Sequence, residues 1–207
     1  MKEAGDFADI PPRQDAAEHS LEMHTPYIYK RFQQTFGSPD NFPPIVPILI
    51  GDNDRHEEKG VGRILAPYLK DPENAFIISS DFCHWGAHFS YMVYSPDSDP
   101  SKLISLKKTG SAPAGPPIHE TIRLIDEAAM DAVAGGSHDA FIDNLKLTGN
   151  TVCGRHPIGV AMAALEHVGR EAGHEQSKFK IVRYERSSLV ESPRDSSVSY
   201  VSAYAVL

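Results

Sequence analysis

The 207-residue sequence predicts an α/β fold in which a mixed or largely parallel sheet is flanked by helices. Two short apolar runs, residues 44–51 and 75–80, are bounded by polar and turn residues, a pattern that is typical of buried strands. Between them, residues 60–70 carry apolar side chains at helical spacing. A strand, a helix and a strand in this order predict a right-handed parallel crossover.

The remaining elements follow from the same kinds of pattern. Residues 15–36 have an imperfect apolar face, and the regular helix is expected to begin at Pro26, since proline is tolerated only in the first turn. Three further helices are predicted from helical spacing, over residues 118–133, 137–147 and 157–172. Two final strands are predicted from alternation and β-branched content, at residues 179–184 and 198–206.

The chain length indicates one domain over residues 1–207, because about 200 residues can enclose a single hydrophobic core. Residues 95–117 interrupt the regular pattern. They are rich in proline, serine and glycine and predict a flexible surface insertion.

Composition excludes several classes of partner. The formal net charge of -8 and the lack of a basic stripe argue against nucleic-acid binding. No apolar stretch approaches the roughly 18 residues that a membrane helix needs, so no membrane association is expected. The two cysteines each belong to a histidine-bearing motif, which favours reactive or ligating thiols over a disulfide and predicts a reducing, cytoplasmic location.

Residues 78–86 hold the first candidate site. Asp81, Cys83 and His84 directly follow an apolar run, and ligands in open α/β sheets gather beyond the carboxyl ends of strands. We therefore expect these polar residues to line a pocket. The alternative, in which Asp81 caps a turn and His84 is a satisfied, half-buried histidine, stays open at this stage.

A second candidate site centres on Cys153, which lies just before a helix that has Pro157 in its first turn. Helix N-termini favour a thiolate, and a thiolate binds metal or reacts. A buried cysteine that acts as a small hydrophobe is the alternative. A third segment, residues 18–24, places its acidic and imidazole side chains at helical spacing, where they form either a site or a solvated polar face.

Spacing alone does not choose the chemistry of these clusters. Thiolate, imidazole and carboxylate groups suit borderline metals, but no zinc signature is present. A histidine oriented by Asp81 could equally serve as a general acid or base, or activate a cysteine nucleophile. No serine-hydrolase elbow and no phosphate-binding glycine loop occurs, so those two classes have little support.

Four sequence blocks together resemble the Memo family. They are Glu18–Tyr27, Ser79–Gly86, Cys153–Gly159 and Asp195–Tyr200. The resemblance implies the fold of class III extradiol dioxygenases, copper or iron as the metal, and redox activity. It also implies a cytoplasmic protein of receptor-linked motility signalling. By this resemblance Cys153 is a metal ligand, while Asp81 and His84 form an acid/base pair.

The chain departs from the family pattern in one respect. An Ala-Pro-His-Ala-Gly motif and a Ser-His-His motif, which supply two histidine ligands in the family, do not occur in this sequence. We therefore expect a dioxygenase-like fold that lacks its N-terminal part, and a chain that binds copper, iron or no metal at all. Loss of strands is expected to expose a sheet edge through which copies self-associate.

The favoured hypothesis is a metal-linked, redox-linked or signalling binding protein with a remnant dioxygenase pocket and a protein or peptide partner. Cys153 is its metal-binding thiolate, and Asp81 and His84 remain as the acid/base pair. Six other residues are expected to line the pocket: His19, Glu22, His24, Cys83, Arg155 and His156. The alternatives are a metal-dependent oxidoreductase completed by other ligands or another chain, and a pure protein-interaction module.

Overall fold

The computed structural model describes residues 7–173 and 178–207. It divides the chain into two compact units, Met1–Asp52 and Asn53–Leu207. Each unit is described by itself below. The prediction of a single domain over residues 1–207 stays a prediction.

Over residues 7–52, the described part of the first unit, one helix is longer than two turns. A short helix, Pro12–Asp15 (α1), is followed by a 3₁₀ turn, Glu22–His24, and then by the helix Thr25–Phe36 (α2). Pro26 stands in the first turn of α2, which confirms the expected start of the regular helix.

The second unit is built largely from four helices, which are Arg55–Lys70 (α3), Ile118–Gly135 (α4), His138–Thr148 (α5) and Arg155–Ala172 (α6). All four were predicted, with small shifts at their ends. The helix α3 begins five residues before its predicted start, because Asp54 and Glu57 form a reciprocal capping box. Within the described residues, no helix is long and apolar enough to cross a membrane.

The strands of the described residues pair antiparallel. His84–Trp85 (β1), Lys180–Arg186 (β4) and Ser197–Tyr204 (β5) form a sheet in the order β1-β5-β4. A second, two-stranded sheet joins Val93–Tyr94 (β2) to Ile104–Ser105 (β3). The strand β3 lies within the segment that was predicted as a flexible insertion.

The predicted parallel crossover is not formed. Residues 44–51 and 75–80 have neither helical nor strand structure, so the fold is a mixture of helices and small antiparallel sheets. Several of their apolar side chains are exposed, including Ile45, Val46, Leu49, Phe76 and Ile77. An apolar run becomes a strand only when a neighbouring strand completes its hydrogen-bond ladder, and these segments have no such neighbour among the described residues.

Two apolar clusters form the core of the second unit. One packs α4, α5 and α6 around Phe82, Phe141 and Met162. The other surrounds the completely buried Trp85 with side chains of α4 and of the segment that contains β2. The chain between Phe82 and Trp85 passes between these clusters, so the segment that carries Asp81 and His84 is held on a packed interior.

Candidate functional site

Asp81 and Cys153 lie side by side, although they are 72 residues apart in the chain. The backbone N–H of Cys153 donates to the carbonyl oxygen of Asp81 at 3.2 Å. The backbone N–H of Asp81 donates to the sulfur of Cys153 at 3.1 Å. These reciprocal contacts join the two motifs that the sequence singled out, and they satisfy part of the hydrogen-bonding capacity of the sulfur.

Gly154 allows this close approach. Its N–H donates to the hydroxyl oxygen of Ser80 at 3.0 Å. A Cβ atom at residue 154 would lie 2.4 Å from the carbonyl oxygen of Ser79 and 2.5 Å from the Cβ of Ser80. Any side chain at this position would push the Cys153 turn away from Asp81.

His84 is held in one orientation by neighbouring carbonyl groups. Its Nδ1 lies 2.9 Å from the carbonyl oxygen of Phe82 and 3.2 Å from that of Thr151. Carbonyl oxygens only accept, so Nδ1 carries the proton in these hydrogen bonds. The backbone N–H of His84 donates to the hydroxyl oxygen of Thr151 at 2.7 Å. The ring is therefore fixed with its other nitrogen, Nε2, free of this backbone cradle.

Nε2 of His84 faces the carboxylate of Asp81, with 3.7 Å between Nε2 and Oδ2. A protonated ring forms an ion pair with Asp81, and a neutral ring presents a lone pair on Nε2. The side chains of His84 and Asp81 are 20% and 43% exposed, and Cys153 is exposed. The structure thus places the sulfur of Cys153 against the backbone of Asp81, and the carboxylate of Asp81 3.7 Å from the imidazole of His84, in a solvent-accessible region.

These donor atoms fit a borderline metal in kind but not in number. Sulfur, imidazole nitrogen and carboxylate oxygen are ligands that copper and iron accept. Among the residues with described coordinates, no three His, Cys, Asp or Glu side chains are grouped closely enough to hold an ion. A metal bound through Cys153 would therefore need ligands from outside the described residues.

Three other predicted pocket residues have different surroundings. Cys83 is completely buried in the cluster around Trp85, and burial, with the nearby charge of Asp126, holds the pKa of its thiol well above the usual value. His156 is half-buried, and its Nδ1 lies 2.7 Å from Oε1 of Glu58. Arg155 begins α6 and is exposed.

His19, Glu22 and His24 belong to the first unit. Their backbone groups form a chain of local turns, in which the carbonyl of His19 accepts from Met23 at 3.0 Å and the N–H of His24 donates to Leu21 at 3.1 Å. His19 and Glu22 are exposed, and His24 is half-buried. Their assignment to the pocket stays a prediction.

Sequence reasoning missed Thr151, Phe89 and Asp126. Thr151 holds His84, and the ring of Phe89 packs edge-on against the imidazole with 5.1 Å between ring centroids. Asp126 is completely buried and accepts a hydrogen bond from the backbone N–H of Cys83, next to His84. A signal for Asp126 was present in the sequence, since it interrupts the apolar face of α4 formed by Ile122 and Ala129.

Comparison with known proteins gives a consistent result. A family model described as "Memo-like protein" matches residues 1–204. The chain is 36% identical to the MEMO1 family protein MHO1 of Saccharomyces cerevisiae, over 93% of this chain and 60% of that protein. It is 38% identical to the memo-1 homolog of Caenorhabditis elegans, over 92% of this chain and 48% of that protein. It is 34% identical to human MEMO1, over 95% of this chain and 58% of that protein. The chain thus spans 60% or less of the length of these relatives.

Proposed function

This chain belongs to the Memo family, and from that premise we propose that it is a metal-linked and redox-linked binding protein whose reactive group is the thiol of Cys153. The observation that carries the proposal is the placement of this exposed sulfur against the backbone of Asp81, whose carboxylate faces His84. Family membership also supports a class III extradiol dioxygenase-like architecture and a role in signalling with a protein partner.

The residues of this chain have separate roles in the proposal. Cys153 supplies the single thiolate ligand, and the N–H of Asp81 stabilises the sulfur by donating to it. His84 accepts or releases a proton at Nε2, opposite the Asp81 carboxylate. Copper or iron, when bound, would add one-electron redox chemistry to this site. The described residues supply too few ligands for a complete mononuclear site, so a metal at Cys153 would take its other ligands from outside them, and we propose binding rather than dioxygenase turnover.

Metal titration of three proteins tests this proposal. The wild type, Cys153→Ala and Cys83→Ala are titrated with Cu(I), Cu(II) and Fe(II) under anaerobic conditions, and stoichiometry is followed by calorimetry. We expect binding that is lost in Cys153→Ala and kept in Cys83→Ala, because Cys83 is buried in the core. Stoichiometric binding that survives Cys153→Ala, or a wild type that binds none of the three ions, would contradict the proposal.

We also propose that copies of the chain associate through residues 75–78. Phe76 and Ile77 are 40% and 58% exposed in a segment without strand partners among the described residues. Unpaired extended backbone with apolar side chains favours pairing with another chain. Light scattering should show a concentration-dependent dimer in the wild type that Ile77→Asp weakens. A monomer at all concentrations rules this out.

A further inference from the structure

Asp126 is a buried carboxylate that is hydrogen-bonded to the residues beside His84 and Thr151. It lies on α4, is completely buried, and its Oδ1 accepts from the backbone N–H of Cys83 at 3.1 Å and from the amide of Asn150 at 3.0 Å. Its Oδ2 accepts from the hydroxyl of Tyr184 at 2.8 Å. A carboxylate that is removed from water needs such donors, and each of them fixes the position of a neighbouring segment.

The first of these donors leads directly to His84. The N–H of Cys83 and the carbonyl of Phe82 belong to the same planar peptide group. The carbonyl oxygen of that group accepts from Nδ1 of His84 at 2.9 Å. Asp126 therefore orients, and as an anion polarises, the very peptide whose oxygen holds the proton on Nδ1.

The second donor, the side-chain amide of Asn150, is also connected to the ring of His84. Asn150 precedes Thr151, whose carbonyl oxygen lies 3.2 Å from Nδ1 of His84. The hydroxyl of Thr151 accepts from the N–H of His84 at 2.7 Å and lies 3.1 Å from its carbonyl oxygen. Fixing the side chain of Asn150 thus also fixes the second acceptor of the imidazole proton.

We propose that Asp126 is a positioning residue that locks His84 in the Nδ1–H tautomer, through the Phe82–Cys83 peptide and through Asn150–Thr151. This proposal rests on the function proposed above, because it sets Nε2 as the nitrogen that works beside Asp81 and Cys153. A carboxylate that orients a histidine from behind commonly fixes its tautomer and raises the basicity of the other nitrogen. Here the carboxylate acts through one intervening peptide group instead of touching the ring.

Nitrogen NMR of the imidazole rings in the metal-free protein tests this inference. Wild-type His84 should give the pair of nitrogen resonances of a single Nδ1–H tautomer. Asp126→Asn keeps the shape but removes the charge, so we expect the His84 signals to shift toward a mixture of tautomers. His138 and His156, which contact Glu58, should be unchanged in the same spectra.

Two further variants keep the test decisive. Tyr184→Phe removes a donor from Oδ2 and leaves both links to His84 intact, so its His84 signals should match the wild type. Asn150→Ala cuts one link, and it should shift the His84 signals even if Asp126→Asn does not fold. His84 signals that match the wild type in both Asp126→Asn and Asn150→Ala would overturn the inference.

The two proposals fail separately. A wild type without metal binding removes the proposed function, but the tautomer of His84 in the metal-free protein still decides the role of Asp126. Conversely, a His84 tautomer that is unchanged in Asp126→Asn and Asn150→Ala overturns the role of Asp126. Metal binding that depends on Cys153 would still support the proposed function.

Discussion

Two buried carboxylates, Asp126 and Glu58, are satisfied in different ways. Glu58 is 1% exposed, and its two oxygens lie 2.6 Å from Nε2 of His138 and 2.7 Å from Nδ1 of His156. Asp126 accepts instead from a backbone N–H, an amide and a hydroxyl. An imidazole nitrogen can donate or accept according to its tautomer, whereas a backbone N–H can only donate. The cluster around Glu58 can therefore rearrange its protons, and the network around Asp126 requires an acceptor.

The two carboxylates also anchor different halves of the candidate site. Asp126 accepts a hydrogen bond from the N–H of the Phe82–Cys83 peptide, next to His84. Glu58 joins α3 to the first turns of α5 and α6, and its partner His156 follows Cys153 by three residues. Each motif of the site thus contacts a different buried carboxylate, and both carboxylates come from helices outside the two motifs.

The largest expected effect is the loss of stability when each buried carboxylate is replaced by leucine, and it depends on the number of donors that the carboxylate satisfies. Asp126→Leu takes the acceptor from the buried Cys83 N–H, the buried Asn150 amide and the partly buried Tyr184 hydroxyl. The free energy of unfolding should therefore fall by about 3–9 kcal/mol, at about 1–3 kcal/mol for each orphaned group. Glu58→Leu orphans two ring nitrogens, which can change tautomer, and should cost about 2–6 kcal/mol, toward the lower end of that range. Urea denaturation measures both.

The relative stability of the two variants tests whether the imidazoles around Glu58 rearrange. A Glu58→Leu variant that is less stable than Asp126→Leu would show that the imidazoles do not rearrange. The expected cost of Asp126→Leu is close to the whole free energy of unfolding of a typical domain. An Asp126→Leu variant that does not fold, beside a Glu58→Leu variant that does, therefore agrees with the expectation.

The next effect concerns the space that Glu58 occupies. A Cβ atom at Gly159 would lie 2.2 Å from Oε2 of Glu58, so Gly159→Ala should lower the free energy of unfolding by about 1–3 kcal/mol through overpacking. Gly135, at the end of α4, is the matched control, since an added Cβ there meets nothing within 4 Å. Gly135→Ala should be neutral or stabilise the protein by up to about 1 kcal/mol.

A double-variant cycle sharpens this prediction. In a Glu58→Ala background the carboxylate is gone, so adding Gly159→Ala should cost less than it does in the wild type. Equal costs in both backgrounds would mean that the α6 backbone, and not Glu58, excludes the methyl group.

A smaller effect distinguishes Asp126 by its pH dependence. Burial raises the pKa of Asp126, and hydrogen bonds from Ser199, Asn150, Tyr184 and the Cys83 N–H oppose the rise. A carboxyl with a raised pKa binds its proton more tightly when folded, so its contribution is most favourable at low pH. Stability should therefore decline, relative to Asp126→Asn, as the pH rises from the ordinary value of 3.8 through the raised pKa.

Urea denaturation of both proteins across pH 4 to 8 measures this difference. Each unit by which folding raises the pKa of Asp126 corresponds to about 1.4 kcal/mol in the free energy of unfolding. If the free energies of unfolding of the wild type and Asp126→Asn differ by the same amount at every pH, folding does not change the pKa of Asp126. A difference that grows in favour of the wild type would reverse the sign and contradict the burial argument.

The helices and the two C-terminal strands, β4 and β5, were predictable from the sequence, and the pairing of the strands was not. Apolar residues at helical spacing fix both the type and the approximate length of α4, α5 and α6, because the pattern is local. The start of α3 was predicted five residues too late, although Asp54 and Glu57 have the spacing of a capping box. Residues 44–51 and 75–80 were wrongly predicted as strands, because hydrophobicity does not specify which segment pairs with them.

The candidate site shows the same division. The motifs predicted that Cys153, Asp81 and His84 share a site, and the structure places Cys153 against the backbone of Asp81 and His84 opposite its carboxylate. His156 contacts Glu58, and its assignment to the pocket stays a prediction. Glu58 and Asp126 both interrupt the apolar faces of their helices, which is a local signal. Which donors meet them depends on tertiary packing that spacing along one chain does not encode.

The smallest expected effect belongs to Asp139, a surface carboxylate that neighbours His138. Its hydrogen bonds with Lys59 lie at 2.7 and 2.8 Å and lower its pKa, with a further contribution from Arg55. The side chain is 48% exposed, so solvent screens these pairs and Asp139→Asn should cost less than about 1 kcal/mol. Since the pKa is lowered, the contribution is present at neutral pH and is lost as the pH falls through the carboxyl range. High salt should reduce it further. A cost comparable to that of Glu58→Leu would mean that Asp139 is part of the buried cluster, and the contrast between the two anions would have to include it.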